Sequence, residues 1–217
     1  MYVVVSYYTK NTIYEKYAKK LIESLKRFSS LNYSIVPIES LGDWYKNTQY
    51  KPTFLKQMLE KFYPHSIVYV DVDAEFCRYP SYFDSLDSLT YVNIAVHFLD
   101  HSKYRRKNHP PELLSGTIFL KNNEKTRIIV GEWEDRCRED PQVWDQRALA
   151  EVLRHSKFHS LPEEYCVIFD YMESVENPVI KHYQASREVR RQVKVINSSK
   201  PRVVEKGGMV RVRRIYN

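Results

Sequence analysis

The chain has 217 residues, 43% of them hydrophobic and 28% charged, which suits one globular domain that buries its own core without disulfides. Its three cysteines, Cys77, Cys137 and Cys166, share no CxxC or other metal-ligand spacing, so neither a disulfide framework nor a zinc site is expected, and a reducing compartment is the simpler reading. The net charge of +7 sits at one end: residues 181–217 hold 11 Lys and Arg against 2 acids, whereas the first 180 residues hold 23 against 25.

Tyr2 to Tyr8 is a β-branched and aromatic run that predicts a strand, and Tyr14, Tyr17, Ala18, Leu21, Ile22 and Leu25 recur at helical spacing after it. The run is short and lacks a basic flank and a small-residue cleavage site, so it does not read as a signal peptide. Nothing approaches the roughly 20 apolar residues of a membrane span. The expected setting is the cytoplasm of a cell or of a viral host. Residues 33–38 predict a second strand, Gly42 and Asp43 a loop, and Phe54, Leu55, Met58, Leu59 and Phe62 a helix after Pro52. Ser66 to Val70 reads as a short buried parallel strand ending at Asp71. Further strands are expected at 90–98 and 116–120, separated by a polar stretch from Asp100 to Pro111 that predicts a mobile loop. Helices are expected at about 124–138 and 142–155. Strands alternating with helices imply an α/β domain with a mainly parallel sheet flanked by helices. After Pro178 the pattern turns to short Val-rich pieces around Gly207 and Gly208, which suit a terminal hairpin or an extended arm. The expected division is a domain over residues 1–190 and a basic segment over 191–217.

The segment Ile67-Val68-Tyr69-Val70-Asp71-Val72-Asp73 places two carboxylates at the C-terminal end of a buried strand, where α/β sheets bind ligands. Alternation along an extended chain sends both to one side. Paired carboxylates of this kind suit a hard divalent ion completed by diphosphate oxygens. Three more segments follow: Leu113-Leu114-Ser115-Gly116-Thr117-Ile118-Phe119-Leu120, Val143-Trp144-Asp145-Gln146-Arg147-Ala148-Leu149 and Ile180-Lys181-His182-Tyr183. In that order they resemble the DxD strand, the Asn-Ser-Gly strand, the Asp-Gln-x-x-Leu helix start and the late His-Phe element of GT-A glycosyltransferases, particularly the glycogenin-like and lipopolysaccharide galactosyltransferase-like families. The resemblance covers roughly residues 2–190.

The resemblance implies a Rossmann-like GT-A fold and a transferase that moves a sugar from a nucleotide sugar, with UDP the usual nucleotide, to a glycan, protein or other hydroxyl acceptor with retention of configuration. It makes Asp71 and Asp73 metal and donor ligands and His182 a third metal ligand, whose imidazole favours Mn²⁺ over Mg²⁺. It puts Asp145 and Gln146 beside the sugar at the reacting face, Lys51 in the position of a basic donor contact before a helix, and Tyr8 and Thr9 where the nucleotide base rests. Leu114 departs from the family's sugar-contacting Asn, and Ala185 and Glu188 replace the expected Gly and Lys after His182. Arg187 or Arg190 would then supply the positive charge to the diphosphate, because a guanidinium pairs phosphate bidentately.

Two other readings stand beside this one. A phosphatase of the haloacid dehalogenase type also places Asp-x-Asp after an apolar strand, but Glu75 stands where that motif wants Thr or Val. A nucleic-acid-binding module would rest on the C-terminal Lys and Arg residues. That segment is also suited to contact with another polyanion or an anionic membrane surface.

Overall fold

A computed structural model describes residues 1–104, 108–188, 203–206 and 209–212. The chain divides into two compact units, Met1–Tyr183 and Gln184–Asn217.

In the first unit, β1 (Tyr2–Thr9) is buried almost throughout, as a central strand of β-branched and aromatic residues should be. α1 (Tyr14–Lys26) turns Ala18, Leu21 and Leu25 inward. β2 (Asn32–Ile38) runs parallel to β1, from Val3 opposite Asn32 to Thr9 opposite Ile38. α2 (Trp44–Lys61) begins well before Pro52, in contrast to the sequence expectation. Gly42 takes a φ of 109° at the turn, and the Asp43 side chain caps the helix by accepting the Lys46 N–H at 2.9 Å. Pro52 therefore lies inside the helix and forfeits one backbone hydrogen bond. Burial of Phe54, Leu55, Met58 and Leu59 on the same helix outweighs that loss, since each such side chain is worth about 1.5–3 kcal/mol.

β3 (Ser66–Val70) is buried at every residue and runs parallel to β1. Two elements that the sequence reading lacked come next, β4 (Ala74–Phe76) and α3 (Ser81–Ser88). β5 (Ile94–Leu99) and β6 (Glu112–Leu120) are antiparallel to each other, and β6 is antiparallel to β3 as well. α4 (Glu124–Glu139) is capped by Asn123, whose side chain accepts the Thr126 N–H at 2.9 Å. α5 (Asp145–Leu153) opens three residues later than expected. β7 (His159–Ser160), β8 (Val167–Ile168) and β9 (Ile180–His182) complete the unit.

The main sheet has the order β2-β1-β3-β6-β5-β7. Its strands are parallel except for β6, so the sheet is mainly parallel. Alternating side chains feed two cores. Val4, Val68 and Phe119 pack with Leu21, Leu25 and Phe83 on one face, and Val3, Val5 and Ile67 pack with Phe54, Leu55 and Trp133 on the other. Helices thus cover both faces and leave ligand chemistry to the strand ends. A small second sheet, β4-β9-β8, forms past the end of β3.

In the second unit, β10 (Val203–Lys206) and β11 (Met209–Val212) pair antiparallel. No helix among the described residues is long and apolar enough to cross a membrane.

Candidate active site

Asp71 leaves the end of β3, and its N–H donates to the Gly116 carbonyl at 2.8 Å, which ties it to the neighbouring strand. The chain turns, and β4 then pairs with β9 so that Ala74 lies opposite His182. The Tyr183 N–H donates to the Asp73 carbonyl at 3.1 Å. This pairing brings His182 to the aspartates, and one ligand atom from each of Asp71, Asp73 and His182 lies within 4.8 Å of the others.

The surroundings fix which imidazole nitrogen faces the cluster. The Thr117 hydroxyl donates to the Tyr165 carbonyl at 2.9 Å and therefore accepts from His182 Nε2–H, 2.8 Å away. In a neutral imidazole this leaves the lone pair on Nδ1, which is buried without a hydrogen-bond partner and lies 3.7 Å from Asp73 Oδ1. An unsatisfied buried polar atom costs about 1–3 kcal/mol, a cost that a metal ligand bond would remove. Asp71 is oriented in a complementary way. Its Oδ1 accepts from the Tyr69 hydroxyl at 2.8 Å and the Lys51 ammonium at 3.1 Å. Its Oδ2 looks over Gly116, where an added Cβ would stand 3.3 Å from that oxygen, 3.3 Å from His182 Nδ1 and 3.2 Å from His182 Cε1. A glycine thus keeps clear the space onto which the three donors converge. Two carboxylates and one imidazole nitrogen suit a divalent cation.

Lys51 lies inside α2 and not ahead of a helix, and at 4% exposure it is a buried charge. Its Nζ lies 2.8 Å from Asp145 Oδ2 and 3.1 Å from Asp71 Oδ1, and it donates to the Ser115 carbonyl at 3.2 Å and Oγ at 3.0 Å. Burial alone would lower the pKa of this ammonium, but the Asp145 and Asp71 carboxylates outweigh it and raise the pKa above the usual lysine value. Tyr69 and Tyr7 are held well above the ordinary phenol range, by burial first and then by the same aspartates.

Asp145 sits at the first turn of α5, buried, with Oδ2 also accepting from Ser115 Oγ at 2.9 Å. The Trp133 indole N–H donates to its carbonyl at 2.8 Å. Gln146 accepts the Ser115 N–H at 3.2 Å and donates to Glu112 Oε1 at 2.7 Å. Glu112 Oε2 lies 3.0 Å from His101 Nε2, and His101 Nδ1 lies 2.9 Å from the Tyr171 hydroxyl.

The structure therefore gathers Lys51, Asp71, Asp73, Asp145, Gln146 and His182 around Ser115 and Gly116. Tyr8 and Thr9 lie at the end of β1, which runs parallel to β3, so they share the sheet edge that carries Asp71. Arg187 belongs to the second unit, and Arg190 lies outside the described residues. Sequence reasoning did not identify Tyr69, Ser115, Thr117, Glu112 or His101 as site residues. Ser115 and Thr117 flank Gly116 in a segment it did single out, and this was the available signal. Tyr69 reads from sequence as one more apolar strand residue, and the partners of Glu112 and His101 come from distant turns.

A mixed sheet with one reversed strand, helices on both faces and Asp71, Asp73 and His182 gathered at the strand ends is the arrangement expected of the GT-A glycosyltransferases that the sequence resembles. A profile of the nucleotide-diphospho-sugar transferase family matches residues 41–203, and the chain belongs to that family. It is a glycosyltransferase that uses a nucleotide sugar. Solved structures agree on the fold. A glycosyltransferase involved in glycosylating the major capsid of PBCV-1 superposes with a TM-score of 0.67 at 17% identity, over 88% of this chain and 98% of that one. The glycosyltransferase GlyE of Streptococcus pneumoniae TIGR4 gives 0.58 at 16% identity, over 84% of this chain and 55% of that one. The galactosyltransferase LgtC, in complex with donor and acceptor sugar analogues, gives 0.54 at 10% identity, over 85% and 87%. No curated protein matches the sequence. The phosphatase and basic-module readings are not favoured by these findings.

Proposed function

We propose that the chain is a metal-dependent transferase that takes a UDP-sugar as donor, with Asp71, Asp73 and His182 holding Mn²⁺. The observation that carries this reading is the buried lone pair of His182 Nδ1, turned without a hydrogen-bond partner toward two aspartates across the space that Gly116 keeps clear. When bound, the cation would act as a Lewis acid for the diphosphate leaving group. Imidazole nitrogen in the donor set favours manganese over magnesium.

The chain's own residues do the positioning. Thr117 fixes the His182 tautomer, while Tyr69 and Lys51 occupy Asp71 Oδ1 so that Oδ2 is the oxygen left for the metal. Lys51 adds a fixed positive charge beside the donor. Asp145 and Gln146 form the reacting face, with the Gln146 amide held between Ser115 and Glu112. Tyr8 and Thr9 flank the nucleotide base. Transfer with retention of anomeric configuration is part of the proposal, supported by the resemblance of residues 143–149 to the retaining families.

Calorimetric titration with UDP, with and without Mn²⁺, tests the donor site. Binding should require the metal and disappear in Asp73→Ala. Failure of the folded wild-type protein to bind UDP or another nucleoside diphosphate in the presence of Mn²⁺ would sink the reading.

A further inference from the structure

Large aromatic side chains gather on the surface beside the reacting face. Trp44, Tyr45 and Trp144 are 37%, 37% and 47% exposed. The Trp44 and Trp144 rings meet at 5.7 Å and 83°, and Trp44 meets Tyr45 at 5.2 Å and 79°, so the two indoles form the walls of a right-angled corner. The corner is built in place. The Gln49 side-chain amide donates to the Asp140 and Val143 carbonyls at 2.9 and 2.8 Å, which pins the loop carrying Trp144 to the helix carrying Trp44 and Tyr45.

Its position follows from the chain. Trp144 is the residue before Asp145 and Gln146, and its neighbour Asp145 is bonded to Lys51. Trp44 precedes Lys51 by seven residues of α2, two helical turns or roughly 10 Å along the same face. The corner thus lies within one or two sugar lengths of the groups assigned to the reacting face. Each of the three keeps between a third and a half of its surface exposed, and a clustered exposed apolar patch marks a binding surface. An indole offers a flat apolar face and an N–H at its rim. A pyranose offers the complement, a face of C–H groups rimmed by hydroxyls. Among the described residues the neighbouring charges are paired with one another, Lys46 with Asp43 at 3.7 Å and Arg147 with Glu151 at 3.3 Å, which favours an uncharged ligand.

We propose that Trp44, Tyr45 and Trp144 form a saccharide platform that stacks a pyranose ring of a neutral glycan acceptor and holds its reactive hydroxyl toward Asp145 and Gln146. The acceptor role rests on the proposed donor site, whereas stacking of a sugar on the corner can be read by itself.

Of the three tryptophans, Trp133 is fully buried, so a ligand that covers the corner changes the emission of Trp44 and Trp144. The full chain, saturated with UDP and Mn²⁺, is titrated with lactose, maltotriose, cellotriose and mannotriose while tryptophan fluorescence is followed. At least one should give a saturable shift. Trp144→Ala should weaken that binding about tenfold or more, whereas Trp144→Phe, which keeps a flat ring, should stay within about threefold of wild type. Metal-dependent UDP binding, measured in the same preparations, should be unchanged, so failure of the donor site shows separately. Three outcomes would overturn the platform: no saccharide in the series perturbs the emission, Trp144→Ala binds as wild type does, or sedimentation shows a dimer that Trp144→Ala dissolves, which would assign the corner to a second copy.

Discussion

Replacing Gly116 with alanine tests the metal cluster with one methyl group. The new Cβ would stand 3.2 Å from His182 Cε1 and 3.3 Å from both His182 Nδ1 and Asp71 Oδ2, closer than ordinary contact, so the ligands must yield by a few tenths of an ångström. Metal–ligand distances tolerate only about 0.2 Å. Disturbance of ligand orientation on this scale typically costs about 10–100-fold in metal affinity. The fold should survive: Gly116 lies within β6, and a Gly→Ala change at a compatible backbone position gains about 0.4–1 kcal/mol from the unfolded chain. We therefore expect Gly116→Ala to bind Mn²⁺ and UDP together about 10–100-fold more weakly by calorimetry, with the melting temperature of the metal-free protein near that of wild type. Wild-type affinity in Gly116→Ala would refute the placement of the metal. A collapse of the metal-free protein would refute the claim that the methyl acts on the ligands alone.

Thr117→Val keeps the side-chain shape and removes the acceptor that selects the His182 tautomer, so Mn²⁺ affinity should fall about 10–100-fold; calorimetry on the apo protein reads this directly. Lys51→Met leaves buried Asp145 without its counter-ion and should lower unfolding free energy by about 3–5 kcal/mol in urea titrations, while Lys51→Met combined with Asp145→Leu should recover most of the loss. Alkaline pH should destabilise the fold. Tyr7 and Tyr69 keep their protons well above the usual phenol pKa, so above pH of about 10 the unfolded state binds fewer protons than the native one, and stability falls as pH rises. Urea midpoints between pH of about 9 and about 11, across the phenol range, should decline for wild type and decline less for Tyr69→Phe, which removes one of the buried phenols.

The alternation of apolar residues made the parallel half of the sheet legible, because β1 and β3 are buried on both faces and read as continuous apolar runs. β4 and α3 were not legible. β4 has three residues and exists because β9 pairs with it, and α3 packs only Phe83 and Leu86 inward, too few for a periodic signal. Pro52 misled the reading of α2 because prolines more often open helices than sit within them. The start of that helix was nevertheless written in Gly42 and Asp43, the turn residue and the cap. Within the site, the aspartates and His182 were legible through the order of four motifs. The burial of Lys51 was not, because a lysine becomes an interior residue only when the fold brings carboxylates to it, and Asp71 and Asp145 lie 20 and 94 positions along the chain.

That buried lysine offsets part of the negative charge gathered at the site. Asp71, Asp73 and Asp145 are three negative charges in close quarters, and two of them share the Lys51 ammonium. Three carboxylates against one ammonium leave two negative charges, which the proposed divalent cation would balance. The same lysine would leave a metal a defined partner, since it occupies Asp71 Oδ1 and leaves Oδ2 toward the imidazole. Asp145 contacts Lys51, and Ser115 joins Asp145 to Gln146, its Oγ meeting the first and its N–H the second. The Ser115-Gly116-Thr117 stretch of β6 is the common support: Ser115 orders the Asp145 and Gln146 side chains, Gly116 keeps clear the space between Asp71 and His182, and Thr117 holds the imidazole through Nε2.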